Sequence, residues 1–218
     1  SADGQLARMT GQKSEIGRIL DGVSGDFWFI SIYAAICLRL TPEWSYWIWI
    51  LAAVTGLCHS KQAAMADYYR NIHLFFLKGK SGSELDNYVQ QKAIYNSLSW
   101  KKDFIRKLFL WFYCDYTRSQ ERLTPAFQRF FALLQQRYGA VAPQEIRDEF
   151  RRESLPLMKY TNILSFNTRV TVLFISLLIN EPWLYFVFEL TVLNGLLIYM
   201  IWQHERLSNK LYKEIQMS

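Results

Sequence analysis

Asp3, Gly4, Ala7, Arg8, Gly17 and Asp21 stand at fixed spacings just before a long apolar run, and Asp26 lies at the edge of that run. Acidic side chains at the mouth of a membrane helix are costly to hold there, which marks them as functional. The usual use of such a cluster is to hold divalent cations against a diphosphate. Chemistry on a charged phosphate ester at a membrane edge is the expectation.

The elements that must position these residues read as two apolar hairpins. The first runs Phe27–Leu40, turns at Thr41-Pro42-Glu43 and returns along Trp44–Cys58. The second climbs from about Thr161 to Ile179, turns at Asn180-Glu181-Pro182 and descends along Trp183–Trp202. Some of these apolar runs fall short of the roughly 20 residues that a bilayer requires. The deficit closes if the first helix runs from about Glu15 to Leu40 and the second from Trp44 to about Lys78. Composition agrees: of 218 residues 51% are hydrophobic and 17% aromatic, which suits a membrane protein with a sizeable soluble portion. The rival reading is a soluble helical protein that buries both hairpins.

Net charge is +6, and its placement is more useful than its size. Both turns carry Glu and no Lys or Arg; only Arg39 lies beside a turn and only Arg169 within a span. The positive-inside rule then puts both turns outside and the motif, middle segment and C-terminus in the cytoplasm. Trp44, Trp47, Trp49 and Trp183 fit an aromatic belt at the outer face. Cys37, Cys58 and Cys114 are odd in number and without a CxxC pair, which excludes a disulfide framework and a zinc site in favour of inert apolar thiols. No signal peptide opens the chain, and the absence of a starting Met leads us to expect an N-terminus that has been cut away.

The chain divides into a membrane part, 1–78, an insert, 79–156, and a C-terminal membrane hairpin, 157–218. Within the insert, Trp100–Arg118 and Thr124–Tyr138 read as amphipathic helices. Phe104, Ile105, Leu108, Phe109, Phe112 and Tyr113 recur at helical spacing opposite Lys101, Lys102, Arg106 and Lys107. Such a helix either lies on an anionic membrane surface or caps the membrane part from the cytoplasm. No nucleic-acid-binding module is recognisable, so nucleic acid is excluded as a partner.

The string Asp3-Gly4-x2-Ala7-Arg8-x8-Gly17-x3-Asp21 resembles the signature of the CDP-alcohol phosphatidyltransferase family, D-x2-D-G-x2-A-R-x8-G-x3-D-x3-D. The resemblance implies an all-α, polytopic, six-helix membrane bundle with a cytoplasmic site, here lacking its first helix. The signature's first Asp would fall three residues before Asp3, so this form is expected to be inactive. Its last Asp should follow Asp21 by four residues, where Gly25 stands; the nearest carboxylate is Asp26. A four-residue step returns to nearly the same helix face and a five-residue step does not. Asp26 joins the cluster if a π-bulge widens the helix between Asp21 and Asp26, eased by Gly22 and Gly25. Otherwise another base serves.

The resemblance further implies transfer of a phosphatidyl group from CDP-diacylglycerol to an alcohol, with release of CMP, in phospholipid synthesis at the cell inner membrane. Asp3, Asp21 and Asp26 would be ligands of Mg²⁺ or Mn²⁺, and Asp26 the general base. Gly4, Ala7 and Gly17 would keep the helix surfaces shallow, and Arg8 would contact phosphates through its donor fork. Ser14 either contacts the donor or caps the helix from Glu15. Arg169 either pairs with an Asp of the cluster or binds a phosphorylated acceptor. Lys61, Arg70 and His73 are either surface groups or part of a basic acceptor pocket, which would favour inositol phosphate or glycerol phosphate. His59 and His204 read as interfacial or structural, and Glu189 and Asn194 as interhelical hydrogen-bonding groups at a dimer seam. A homodimer is expected from the family. The rival functions are a CDP-alcohol:diacylglycerol phosphotransferase and an inactive scaffold on the same fold.

Overall fold

The computed structural model describes residues 15–79, 85–139 and 141–217; in the first helix, side chains are described at Gly25 and from Phe27 onward. The described residues are helical, with no strand among them. The order is α1 (Glu15–Trp44), α2 (Trp47–Lys78), α3 (Tyr88–Ser97), α4 (Phe104–Leu123), α5 (Pro125–Tyr138), α6 (Gln144–Ser154), α7 (Met158–Ile163), α8 (Phe166–Leu178), α9 (Trp183–Phe188) and α10 (Asn194–Met217). A 3₁₀ turn, Leu155–Leu157, joins α6 to α7, and a π-helical segment, Glu189–Leu193, joins α9 to α10.

The first hairpin turns later than its sequence suggests. Pro42 lies inside α1, and the reversal comes at Ser45, with φ of +52°. Thr41, just before the proline, links the two helices. Its hydroxyl donates to the Cys37 carbonyl at 2.6 Å and accepts from Trp49 Nε1 at 3.0 Å, tying the last turn of α1 to α2. The second hairpin turns where expected, with Asn180 at φ +65°, a conformation its short polar side chain tolerates. The two turns sit together. The rings of Trp44 and Trp183 are 5.5 Å apart, and Arg39 donates to Asn180 Oδ1.

Below the turns, Phe29, Tyr33, Ile36, Cys37 and Leu40 of α1 pack against Ile48 and Ala52 of α2, with Leu173 of α8 and Tyr185 and Phe186 of α9. A second apolar cluster lies further along the long helices. There Met65, Tyr69, Ile72 and Phe76 of α2 meet Phe127, Phe130 and Leu134 of α5, Phe150 of α6 and Leu207, Leu211 and Ile215 of α10. Most of the insert therefore caps the helices that project from the hairpins.

Local chemistry sets the ends of these elements. Gly79 ends α2 at φ +77°, donating its N–H to Phe75 O at 2.8 Å, and Gly139 ends α5 in the same way on Gln135 O. Pro125 opens α5 where no N–H is missed. The next two N–H groups, of Ala126 and Phe127, donate to the Glu205 carboxylate of α10 at 2.7 and 3.1 Å. The insert is thus pinned to the C-terminal helix by a cap as well as by packing.

Two helical runs, Gln144–Leu178 and Trp183–Met217, are long and apolar enough to cross a membrane. Large apolar side chains also point outward around the hairpins, among them Phe27, Trp28, Ile30, Leu38, Leu57, Phe174, Leu178 and Ile198. A belt of this extent is foreign to a water-soluble surface.

Candidate active site

The motif falls mainly on residues the structure does not describe. Asp3, Gly4, Ala7, Arg8 and Ser14 lie outside the described residues. Gly17, Asp21 and Asp26 lie on α1, but their side chains are outside the description. The backbone answers one question. α1 is α-helical throughout Glu15–Trp44, so the π-bulge expected between Asp21 and Asp26 is not there. A five-residue step on such a helix separates the two positions by about 140° around the axis. Among the described residues no group of three or more His, Cys, Asp or Glu converges to hold a metal ion.

Arg169 is in place, and its surroundings are a finding. It is fully buried in α8, and Glu189, equally buried, faces it from the π segment. Arg169 Nη1 donates to Glu189 Oε1 at 2.5 Å and Nη2 to Gln62 Oε1 at 2.7 Å, while Nε reaches Leu164 O at 3.3 Å. Tyr185 donates to the same Glu189 oxygen at 2.6 Å, and Tyr33 donates to the other. The guanidinium is thus turned onto Glu189 and Gln62 rather than towards solvent.

His59 completes the cluster. Arg169 Nη1 lies 2.8 Å from its Nδ1, and Arg has only donors, so Nδ1 accepts and the ring proton sits on Nε2. The 3.4 Å approach of Nδ1 to Glu189 Oε1 is then a contact between two acceptors, not a hydrogen bond. The ring rests 4.2 Å from that of Phe29, centroid to centroid. Gln62 also donates to the Glu189 carbonyl at 3.0 Å and to Asn194 Oδ1 at 2.7 Å. Asn194 in turn donates to Leu190 O at 3.1 Å. The widened turn after Phe188 therefore has side-chain donors on two of its carbonyls.

Glu189 and Asn194 make interhelical hydrogen bonds, but within one chain; the seam they join is between the two hairpins. Tyr33, Gln62 and Tyr185 escaped the sequence reading because a lone tyrosine or glutamine in an apolar helix carries no signal of its own. The usable signal was the pair of opposite charges, Arg169 and Glu189, each inside a span. The remaining candidates scatter. Lys61 and Arg70 are exposed, and half-buried His73 shares a 2.8 Å hydrogen bond with Ser154 Oγ. Burial, with Arg151 nearby, holds the His73 imidazole below its ordinary range. His204 is buried and stacks on Tyr69 at 3.8 Å between centroids, a packing role. All three cysteines are free, and Cys37 and Cys114 are buried.

Comparison with known proteins finds one likeness, in the N-terminal segment. Residues 1–76 match the CDP-alcohol phosphatidyltransferase family. The match covers α1 and nearly all of α2, about a third of the chain, and includes every motif residue. No curated protein and no solved structure matches the chain. The family is integral to membranes, is generally dependent on a divalent metal and uses CDP-alcohol substrates with an alcohol acceptor. The all-helical fold is consistent with its bundle.

Proposed function

We propose that this protein is an integral-membrane transferase that moves a phosphatidyl group from CDP-diacylglycerol to an alcohol acceptor and releases CMP. The observation that carries the reading is the family match over residues 1–76, which contains the spaced motif from Asp3 to Asp21. In the reaction the acceptor oxygen bonds to the phosphatidyl phosphorus as the bond from that phosphorus to the CMP oxygen breaks. The acceptor proton passes to a base other than Asp26, whose position an uninterrupted α1 turns about 140° from that of Asp21, and the electron pair leaves with CMP. The regular α1 leaves the position of Asp26 about 140° round the axis from Asp21, whereas Asp3 and Asp21 are hard oxygen donors of the kind that suit Mg²⁺ or Mn²⁺. A divalent cation held there supplies positive charge against the diphosphate. Arg8 holds phosphate oxygens, Ser14 contacts the donor, and Gly4, Ala7 and Gly17 leave room for the nucleotide.

The hairpin arrangement supports a cytoplasmic site at the inner membrane. Asp26 lies about 27 Å along α1 from Trp44, near the far limit of a hydrocarbon layer of roughly 30 Å. The cation-poor turns at Ser45 and Asn180 then face outward. Inositol phosphate and glycerol phosphate remain the acceptors to test first, and a homodimer is the expected assembly.

One observation favours a second reading. Arg169, the cation proposed for a phosphorylated acceptor, is occupied by Glu189 and Gln62. A site with fewer free cations suits a CDP-alcohol donor with diacylglycerol as acceptor. The test uses protein made from its complete reading frame, with labelled CDP-diacylglycerol, Mn²⁺ and each acceptor in turn. The expected result is metal-dependent CMP release that Asp21→Asn abolishes. Release from CDP-alcohols plus diacylglycerol alone would move the assignment to the second reading. Activity unchanged in Asp21→Asn, or no release in either direction, would end the transferase reading.

A further inference from the structure

Among the described residues, nothing covers the exposed face of α4. Its buried side carries Lys107, Leu110, Cys114 and Thr117. The opposite side leaves Phe104, Ile105, Trp111 and Phe112 exposed, and Trp100 is exposed in the preceding turn. Exposed Lys101 and Lys102 sit beside them, whereas Asp103 is half-buried and turned onto Ser99 N at 3.3 Å. Asp115, also exposed, marks where the apolar stretch ends. The elbow that presents this face is locked in place. Lys107 Nζ donates to Leu98 O at 2.6 Å and stands 4.8 Å from the Tyr95 ring.

The level of α4 identifies what covers the face. Gln120 donates to the Ala64 carbonyl of α2 at 2.8 Å, and Tyr116 donates to Asp67 at 3.3 Å. Ala64 lies about 26 Å along α2 from Trp47, close to the roughly 30 Å depth at which hydrocarbon gives way to headgroups. Aromatic rings with flanking lysines at that level match an interfacial helix on anionic lipid. We propose that α4 seats Phe104, Ile105 and Phe112 in the inner leaflet, with Lys101 and Lys102 against anionic phospholipid headgroups. The proposal rests on the hairpins spanning the bilayer, and not on the transfer chemistry.

Nitroxide labels test it, placed through Phe104→Cys, Ile105→Cys or Phe112→Cys in the full chain. The chain is held in bilayer nanodiscs of phosphatidylcholine with or without phosphatidylglycerol. Unsubstituted protein labelled in parallel gives the background from its own thiols, and Phe174→Cys on α8 reports the span. With anionic lipid, all three α4 sites should favour oxygen over a water-soluble nickel complex as collision partner. Charge reversal by Lys101→Glu with Lys102→Glu should lower the docked to undocked ratio by at least about 30-fold, the usual worth of two lysines near an anionic surface. Labels reached by nickel at α4 but by oxygen at Phe174→Cys would overturn the docking alone. Labels shielded from both reagents would overturn it in favour of a second protein copy. Nickel access at Phe174→Cys as well would overturn the membrane reading and the docking together.

Discussion

Glu189→Ala should be among the most damaging single substitutions outside the motif. Glu189 and Arg169 are both fully buried, and their carboxylate–guanidinium contact is 2.5 Å. Removing the carboxylate leaves a guanidinium without its anion, and the hydroxyls of Tyr33 and Tyr185 lose their acceptor. Breaking a buried ion pair from one side costs about 3–5 kcal/mol, because the stranded charge keeps its desolvation penalty. The orphaned hydroxyls act through the same oxygen atoms, so their cost is not simply additive. At about 2–4 °C per kcal/mol for a chain of this size, the expected fall in Tm is about 6–20 °C. Thermal unfolding in detergent micelles, followed by tryptophan fluorescence, measures it. The double variant Arg169→Met with Glu189→Leu removes both charges and should recover most of the loss. A Glu189→Ala protein within about 1 kcal/mol of the parent would refute the reasoning, since that is the scale of an exposed pair. So would a double variant as unstable as the sum of its parts.

Two further outcomes follow from the described contacts. Glu205→Ala removes the acceptor for two N–H groups at the start of α5 and should cost about 1–2 kcal/mol, read as earlier proteolysis of the insert; unchanged cleavage would discount the cap. His73 lies about 39 Å along α2 from Trp47, beyond the hydrocarbon layer, and its folded-state imidazole is held below the ordinary 6.5. Its contribution to stability is therefore full above pH 6.5 and is lost as pH falls through the lower folded value. Tm should drop more steeply between pH 8 and 5 in the parent than in His73→Gln, and parallel slopes would refute the assignment.

The helices were legible because their signals are strong over long windows. Apolar runs interrupted by short charged turns place α1, α2 and the second turn to within a few residues, but the descending helix of the second hairpin runs on past Trp202 to Met217, where its sequence turns polar. The first turn was missed by three residues, because Pro42 usually marks a boundary and here lies inside α1. Within the insert, α4 and α5 showed through their aromatic periodicity. α3 and α6 did not, being short and without a strong apolar stripe. The two amphipathic helices of the insert differ in how their apolar faces are covered. α5 is buried against α10 while the outer face of α4 stays open, and one stretch of sequence cannot show which apolar face finds a partner.

The buried polar cluster between the hairpins was half legible, and the missing half is instructive about helix phase. A five-residue interval between functional side chains was read at Asp21 and Asp26, with a π-bulge to reconcile it. The chain uses that device elsewhere. Between Glu189 and Asn194, also five residues apart, the π segment brings both positions onto the face that meets Gln62. On an uninterrupted α-helix, as α1 is, the same interval would turn one of them away by about 140°. What differs is the supply of donors. Gln62 and Asn194 donate to two carbonyls of the widened turn, those of Glu189 and Leu190, which offsets the cost of the distortion in an apolar setting. The π segment thus draws on Asn194 at its own end and on Gln62 of a neighbouring helix, and the second of these a reading confined to the bulged segment cannot see.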